Sequence, residues 1–199
     1  LIQIGANDGL RFDSLNYYIK KNKTKSLLVE PIKENFNDLK NNYKDCENII
    51  FENLAISVNN EISYLYKVNP LRLKNYSGDH FAGIASFDKN HLIKHGVKKK
   101  DIIKDKVNSI SINNLIAKHA LDTFDLLFVD AEGYDADIVG DFLKTSLIRP
   151  TIIFEYIHIP NKKLENLINQ LKEKKYIFFS VCENMFCFPL ENNPFVNFS

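Results

Sequence analysis

The sequence lacks a strong excess of charge of one sign and any long apolar run, the features that mark nucleic-acid-binding and membrane-spanning proteins. Its 199 residues carry 26 Lys+Arg against 25 Asp+Glu, a formal net charge of +1. Affinity for phosphate backbones grows with basic charge, so this balance argues against a nucleic-acid partner. The apolar runs, such as 151–154, are far shorter than the roughly 20 residues that cross a bilayer. We therefore predict no membrane span.

Cysteine is also scarce. The three cysteines, Cys46, Cys182 and Cys187, are spaced neither like zinc ligands nor like a redox Cys-x-x-Cys pair. Free thiols are typical of a reducing compartment, so we expect a cytoplasmic protein. The chain begins Leu-Ile-Gln-Ile, with no initiator Met and no leader, and we expect a longer product that extends upstream.

Apolar runs and helical patterns alternate along most of the chain. Strands are predicted at 1–4, 26–29, 48–54, 61–68, 107–112, 124–129, 151–154, 176–181 and 185–188. Such alternation is typical of an α/β fold with a mostly parallel sheet and helices on both faces. Only three residues separate the last two strands, which is too short for a crossover, so that pair should be antiparallel.

The pattern breaks down between about 69 and 106, where Pro70, Gly78, Gly83 and Gly96 interrupt it. A long stretch without regular structure inside a compact domain is commonly a functional loop. We predict a single domain over 1–199, with a loop or lid insertion at about 69–106.

Polar residues directly after predicted strands are the candidate site, because ligands of open α/β sheets bind beyond the carboxyl ends of the strands. The first strand is followed by a glycine turn with Gly5 and Gly9, and the second by Glu30. Glycine lets the backbone approach a ligand, and a carboxylate after the second strand can bind a ribose diol. Together these features predict a nucleoside-containing ligand.

The turn departs from the dinucleotide fingerprint GxGxxG. Asn7 stands where the middle glycine makes room for pyrophosphate, and the carboxylate of Asp8 repels phosphate. A cationic ligand without phosphates, S-adenosylmethionine, fits this turn better. The alternatives are a nicotinamide-dependent oxidoreductase of the short-chain type and a catalytically silent scaffold with the same fold.

The chain resembles the FkbM-type S-adenosylmethionine-dependent methyltransferases. The matching segments are Gln-Ile-Gly-Ala-Asn-Asp-Gly at 3–9, Val-Glu-Pro at 29–31, Asn-Leu-Ala-Ile-Ser at 53–57, Gly-Ile-Ala-Ser-Phe at 83–87, Val-Asp-Ala-Glu-Gly-Tyr-Asp at 129–135 and Arg-Pro-Thr-Ile-Ile-Phe-Glu-Tyr-Ile-His at 149–158. The resemblance implies a Rossmann-like class I fold, with a seven-stranded sheet whose last strand is antiparallel. It also implies methyl transfer, usually to a hydroxyl of a sugar or secondary metabolite.

The resemblance also implies roles for individual residues. Gly5, Asn7 and Gly9 would line the methionine part of the cofactor, Glu30 would bind the ribose, and Asn53 and Ala55 would border the adenine. Asp8 would replace the acid that many such enzymes carry where this chain has Gln3, and Asp130 would complete the cofactor site. Ser86 and Glu155 would contact the substrate.

A hydroxyl nucleophile needs a base, because its own pKa is far above neutrality. His158, Asp130 and Glu132 are the candidate catalytic residues, and histidine is favoured because it is mostly neutral at physiological pH. With Glu155 they could instead hold Mg²⁺ or Mn²⁺, whose ligands are oxygen-rich. No spacing rule supports a cation, so we assign no metal ligand. The expected partner is a small-molecule or glycan acceptor.

Overall fold

The computed structural model describes residues 1–11, 13–58, 62–78 and 80–192. The strands are β1 (Ile2–Ile4), β2 (Ser26–Val29), β3 (Ile49–Glu52), β4 (Ala55–Ile56), β5 (Ile62–Val68), β6 (Ala85–Ser86), β7 (Ile102–Ile110), β8 (Leu126–Val129), β9 (Thr151–Glu155), β10 (Tyr176–Val181) and β11 (Asn184–Pro189). The α-helices are α1 (Asn16–Asn22), α2 (Lys33–Asn42), α3 (His80–Gly83), α4 (Lys89–Lys94), α5 (Ile112–Lys118), α6 (Asp135–Thr145) and α7 (Asn161–Glu173).

The main sheet has seven strands in the order β10-β11-β9-β8-β1-β2-β3. β8 is parallel to both β1 and β9, and β2 is parallel to β3. β11 is antiparallel to β9 and to β10. The predictions of a mostly parallel sheet of seven strands and of an antiparallel terminal pair are therefore confirmed.

The chain forms two compact units, the first of which comprises Leu1–Ile4, Ile56–Asn59 and Ile110–Ser199. Its strand β8 reads Leu-Leu-Phe-Val and buries three of its four residues, as expected of a strand covered on both faces. Helix α6 buries Ile138 and Phe142, and the amphipathic helix α7 buries Leu167 and Leu171. These apolar faces form the core that positions the residues after β8 and β9.

The second unit comprises Gly5–Ala55 and Asn60–Ser109. Strand β2 is buried along its whole length, and α2 buries Phe36 and Leu39. A four-stranded sheet has the order β4-β7-β5-β6, in which β5 is antiparallel to both β6 and β7. The first helix after the glycine turn, α1, begins at Asn16, and Leu10 between them is 59% exposed.

The segment 69–106 has more regular structure than its sequence indicates. It contains α3, β6, α4 and two 3-10 helices, Pro70–Asn75 and Lys99–Asp101. Three of its apolar residues, Ile84, Leu92 and Val97, form a small core with Val68, the last residue of β5. The elements are too short for their periodicity to be recognised in the sequence. The role of this segment as a lid stays a prediction.

Among the described residues, no helix combines the length and the apolar character that crossing a membrane requires.

Candidate functional site

The turn after β1, residues 5–9, is the glycine loop. The backbone N–H groups of Gly5 and Ala6 both donate to Val29 O at 3.0 Å, which joins the loop to the end of β2. Gly5 and Gly9 have φ of 78° and 68°, a region that favours glycine. A Cβ at Gly9 would lie 2.5 Å from Leu39 and 2.6 Å from Tyr43, so α2 packs closely against the loop.

Glu30 connects this loop to the start of α2. Its Oε2 accepts a hydrogen bond from Asn7 N at 2.9 Å, and its Oε1 accepts one from Ile32 N at 2.8 Å. The residue is only 4% exposed. A carboxylate offers about four acceptor positions, so these two bonds fix its plane and are compatible with binding of a diol.

Asn53 is hydrogen-bonded to the backbone of Glu30 and of the next residue. Its Nδ2 donates to Glu30 O at 2.9 Å and to Pro31 O at 3.1 Å. Pro31, Ile32 and Asn53 line one side of a cavity of about 290 Å³, near the lower end of the range for ligand pockets, about 300 Å³. The other side is formed by residues of β5 and β7, among them Lys67 and Asp105.

Lys67 was not expected at a site. Its Nζ lies 3.0 Å from Glu34 Oε2 and 2.6 Å from Asp105 Oδ2. Burial alone would lower the pKa of Lys67, but the two carboxylates raise it, and the net direction is upward. The lysine therefore contributes a fixed positive charge to the cavity wall. The sequence signal for Lys67 is a single lysine near the end of a strand in which Leu65 and Val68 are buried.

Asp8 is engaged within its own turn. Its Oδ1 accepts hydrogen bonds from Leu10 N at 3.0 Å and Arg11 N at 2.8 Å, and its Oδ2 pairs with the Arg11 guanidinium. Burial would raise the pKa of Asp8, but these bonds outweigh it and lower the pKa. The Asp8 carboxylate therefore stabilises the turn. That it also contacts the cofactor stays a prediction.

Ala55 and Ser86 lie in two short strands, β4 and β6. Ala55 is buried at 4% exposure in β4. Ser86 is in β6 opposite Tyr66 of β5, and its Oγ accepts a hydrogen bond from Asp88 N at 3.2 Å.

The first unit carries a separate group of carboxylates after β8 and β9. Asp130 follows β8, and its N–H donates to Ile4 O at 3.0 Å. Asp135, which is fully buried, accepts hydrogen bonds from Ala131 N and Gly133 N, both at 3.1 Å. Asp135 thus shapes the turn that carries Asp130 and Glu132. Asp135 is the last residue of the motif at 129–135, and the sequence of that motif does not predict its role.

Burial and mutual repulsion change the protonation of this acidic cluster, which consists of Asp130, Glu132, Asp135, Glu155 and Glu183. Burial, together with the charges of Glu132 and Glu183, raises the pKa of Asp130 to about 7. Burial and the neighbouring carboxylates raise the pKa of Glu155 to about 9. Part of the cluster is therefore protonated at neutral pH and can donate or accept protons there.

His158 lies beside this cluster. Its Nε2 is 3.6 Å from Glu155 Oε2, and its side chain is 22% exposed. The structure therefore brings His158, Glu155, Asp130 and Glu132 into one electrostatic group. These side chains are the kind of oxygen-rich donors that Mg²⁺ or Mn²⁺ would need. Among the described residues of the acidic cluster, the raised pKa values indicate bound protons.

Comparison with known proteins identifies the family. The profile of the methyltransferase FkbM domain matches residues 3–178, which is most of the chain. Neither the search of curated proteins nor that of solved structures finds a match. The matched region begins at the end of β1 and includes both the glycine loop with Glu30 and the acidic cluster up to Glu155. The chain belongs to the FkbM methyltransferase family.

Proposed function

We propose that this methyltransferase uses S-adenosylmethionine to methylate a hydroxyl group of a sugar, a glycan or a secondary metabolite. The observation that carries the proposal is the geometry of Glu30. A buried carboxylate, fixed by two backbone N–H groups, is followed directly by residues that line a cavity. This is the arrangement that a ribose and its base require.

The residues of the second unit fit the cofactor. Glu30 would bind the ribose hydroxyls, Asn53 and Ala55 would border the adenine, and the glycine loop would hold the methionine part. Asn7 Oδ1 is buried and accepts no hydrogen bond among the described residues, which suits a ligand that brings an N–H donor. When bound, S-adenosylmethionine supplies a methyl group on a positively charged sulfur.

We propose that the proton of the acceptor hydroxyl is taken up by His158 and the acidic cluster beside it. We assign His158 Nε2 as the base, with Asp130 and Glu132 as further catalytic candidates. A positive charge on His158 favours the ionised form of Glu155, 3.6 Å away, although the pKa of Glu155 is otherwise raised. The pair can therefore share the proton that leaves the hydroxyl.

Ser86 and Glu155 stay the residues that we propose for contact with the acceptor. The protein's three cysteines are free, as they are in a reducing compartment, and we propose a cytoplasmic location.

Calorimetric titration with S-adenosylhomocysteine, with NADH as the comparison ligand, tests the cofactor. We expect binding of S-adenosylhomocysteine at micromolar concentration and no heat with NADH. Binding of NADH alone would contradict the proposal, and so would the absence of binding to either ligand.

Substitution of His158 by Ala tests the base. We expect unchanged affinity for S-adenosylhomocysteine and a turnover lower by about 10²–10⁴-fold, the usual contribution of general base catalysis. The matched control is His119→Ala, which replaces the histidine that follows α5. Normal turnover of the His158 variant would exclude His158 as the base.

A further inference from the structure

Gly83, the last residue of α3, packs against Asn7 of the glycine loop. A Cβ at position 83 would lie 2.6 Å from Asn7 Nδ2 and 3.3 Å from its Cγ. A carbon and a nitrogen that are not bonded do not approach to 2.6 Å, so any side chain at position 83 would displace the amide. The contact exists only because residue 83 is glycine.

The backbone gives no second reason for glycine at this position. Gly5, Gly9, Gly78, Gly96 and Gly133 are the described glycines with positive φ. Gly83 is not among them and has a conformation that alanine adopts readily. The glycine is therefore required for space beside Asn7.

Asn7 has little freedom to avoid such a displacement. Its φ is 49°, and its N–H is held by Glu30 Oε2 at 2.9 Å. Its Oδ1 is buried and accepts no hydrogen bond from the described residues, which costs free energy until a donor arrives. With the backbone fixed, the direction of the amide depends on its contact with Gly83.

We propose that Gly83 is a positioning residue, which orients the Asn7 amide so that Oδ1 accepts a hydrogen bond from the α-ammonium group of the cofactor's methionine part. The identity of the ligand rests on the proposed function. The proposed contact does not involve the adenosine part of the cofactor, to which Glu30 and Asn53 are assigned.

The contact itself can be tested without ligand by NMR. The side-chain amide signal of Asn7 is the one that disappears in Asn7→Gly, a variant that keeps the left-handed backbone favourable. We expect Gly83→Ala to shift this signal, and Gly140→Ala to leave it in place. Gly140 is the matched control, because its Cβ would meet only Gln170 at 3.6 Å, an ordinary contact. An unmoved signal in Gly83→Ala would overturn the inference.

The ligand contact is tested by calorimetry with two ligands. 5′-Methylthioadenosine shares the adenosine part of S-adenosylhomocysteine but has no amino or carboxyl group. We expect Gly83→Ala to weaken binding of S-adenosylhomocysteine about tenfold, as loss of one hydrogen bond to a charged group does. Binding of 5′-methylthioadenosine should change by less than about twofold.

Variants of Asn7 separate positioning from general damage to the fold. Asn7→Gly should show the same selective loss, and Asn7→Asp, which keeps an acceptor oxygen, should restore most of the affinity. In the Asn7→Gly background, Gly83→Ala should change affinity by less than about twofold, because its target is gone. These Asn7 variants decide the question even where Gly83→Ala does not fold.

Two results would overturn the inference: equal loss of both ligands in Gly83→Ala, or unchanged affinity for S-adenosylhomocysteine. If the wild-type protein binds neither ligand, the proposed function fails together with the ligand contact. The amide signal in the free protein still decides whether Gly83 positions Asn7, so the two failures can be distinguished.

Discussion

The two units carry carboxylates whose pKa values are shifted in opposite directions, and the one whose pKa is lowered, Asp8, is the less exposed of the two. Asp8 in the glycine loop is 4% exposed, and its pKa is lowered. Glu155 in the acidic cluster has a pKa raised to about 9. Asp8 faces backbone N–H groups and the Arg11 guanidinium, whereas Glu155 faces other carboxylates. Burial alone therefore does not decide the charge of a carboxylate, and the groups that face it do.

The difference suits two kinds of chemistry. Around the glycine loop, fixed charges and occupied backbone donors give a rigid surface that can recognise a ligand without rearranging. In the acidic cluster, a pKa of about 7 at Asp130 lets a proton move near neutral pH. Three substitution experiments test this contrast between a rigid loop and a protonated cluster.

The largest effect is expected from Gly9→Ala, which breaks the packing of the rigid loop. The added Cβ would meet Leu39 at 2.5 Å and Tyr43 at 2.6 Å, at a φ of 68°. Overpacking and a left-handed backbone together should lower the free energy of unfolding by about 3–4 kcal/mol. Denaturant unfolding measures the change.

Gly96→Ala is the matched control for Gly9→Ala. Gly96 has a φ of 86°, but a Cβ there would meet nothing within 4 Å. Only the backbone strain remains, about 1–2 kcal/mol. Equal losses in the two variants would mean that the loop is not closely packed against α2.

Glu30→Gln should lower the free energy of unfolding by about 2 kcal/mol, because an amide nitrogen would face one of the two backbone N–H donors. Those donors are Asn7 N and Ile32 N. The control is Glu34→Gln, whose side chain is 61% exposed and whose ion pair should contribute less than about 1 kcal/mol. Unfolding of both variants in urea gives the comparison, and a neutral Glu30→Gln would disprove the proposed rigidity.

The smallest effect is a difference in pH dependence. The folded protein keeps a proton on Glu155 up to about pH 9, whereas the unfolded chain loses it near its ordinary pKa of 4.5. The contribution of Glu155 to stability therefore falls as pH rises across this window. Glu155→Gln should raise the Tm at pH 9 and leave it nearly unchanged at pH 4, which thermal melts at the two pH values measure.

Asp8→Asn should show the opposite sign. The pKa of Asp8 is lowered from 3.8, so its contribution is present above that value and is lost as pH falls through the folded pKa. The variant should melt below wild type at pH 7 and approach it in acid. Melting curves with the same pH slope for both variants would show that the two carboxylates do not differ.

Much of the fold could be predicted from local pattern. The apolar run at 124–129 predicted a buried strand, and β8 (Leu126–Val129) is one. The short connection before Asn184 predicted the antiparallel pair of β10 and β11. The segment 69–106 could not be predicted in the same way, because its elements before β7 are two to six residues long and their apolar residues pack with Val68 of β5.

The position of Glu30 after a buried strand could be predicted from the sequence, and its role toward a nucleoside stays a prediction. Glu30 follows a buried strand and was expected to face a nucleoside, and the structure fixes it with two hydrogen bonds beside a cavity. Lys67 was missed, because its partners Glu34 and Asp105 are 33 and 38 positions away and come together only in the folded chain.

The sequence by itself determined the alternation of strands and helices, the motifs and hence the family, because these depend on neighbouring residues and on spacing. Only the tertiary structure decided which carboxylates are ionised, where the cavity lies and why residue 83 must be glycine. Those properties depend on what each side chain faces at a distance of 2.5–4 Å. Contacts of that length join residues far apart in the chain, and no local pattern encodes them.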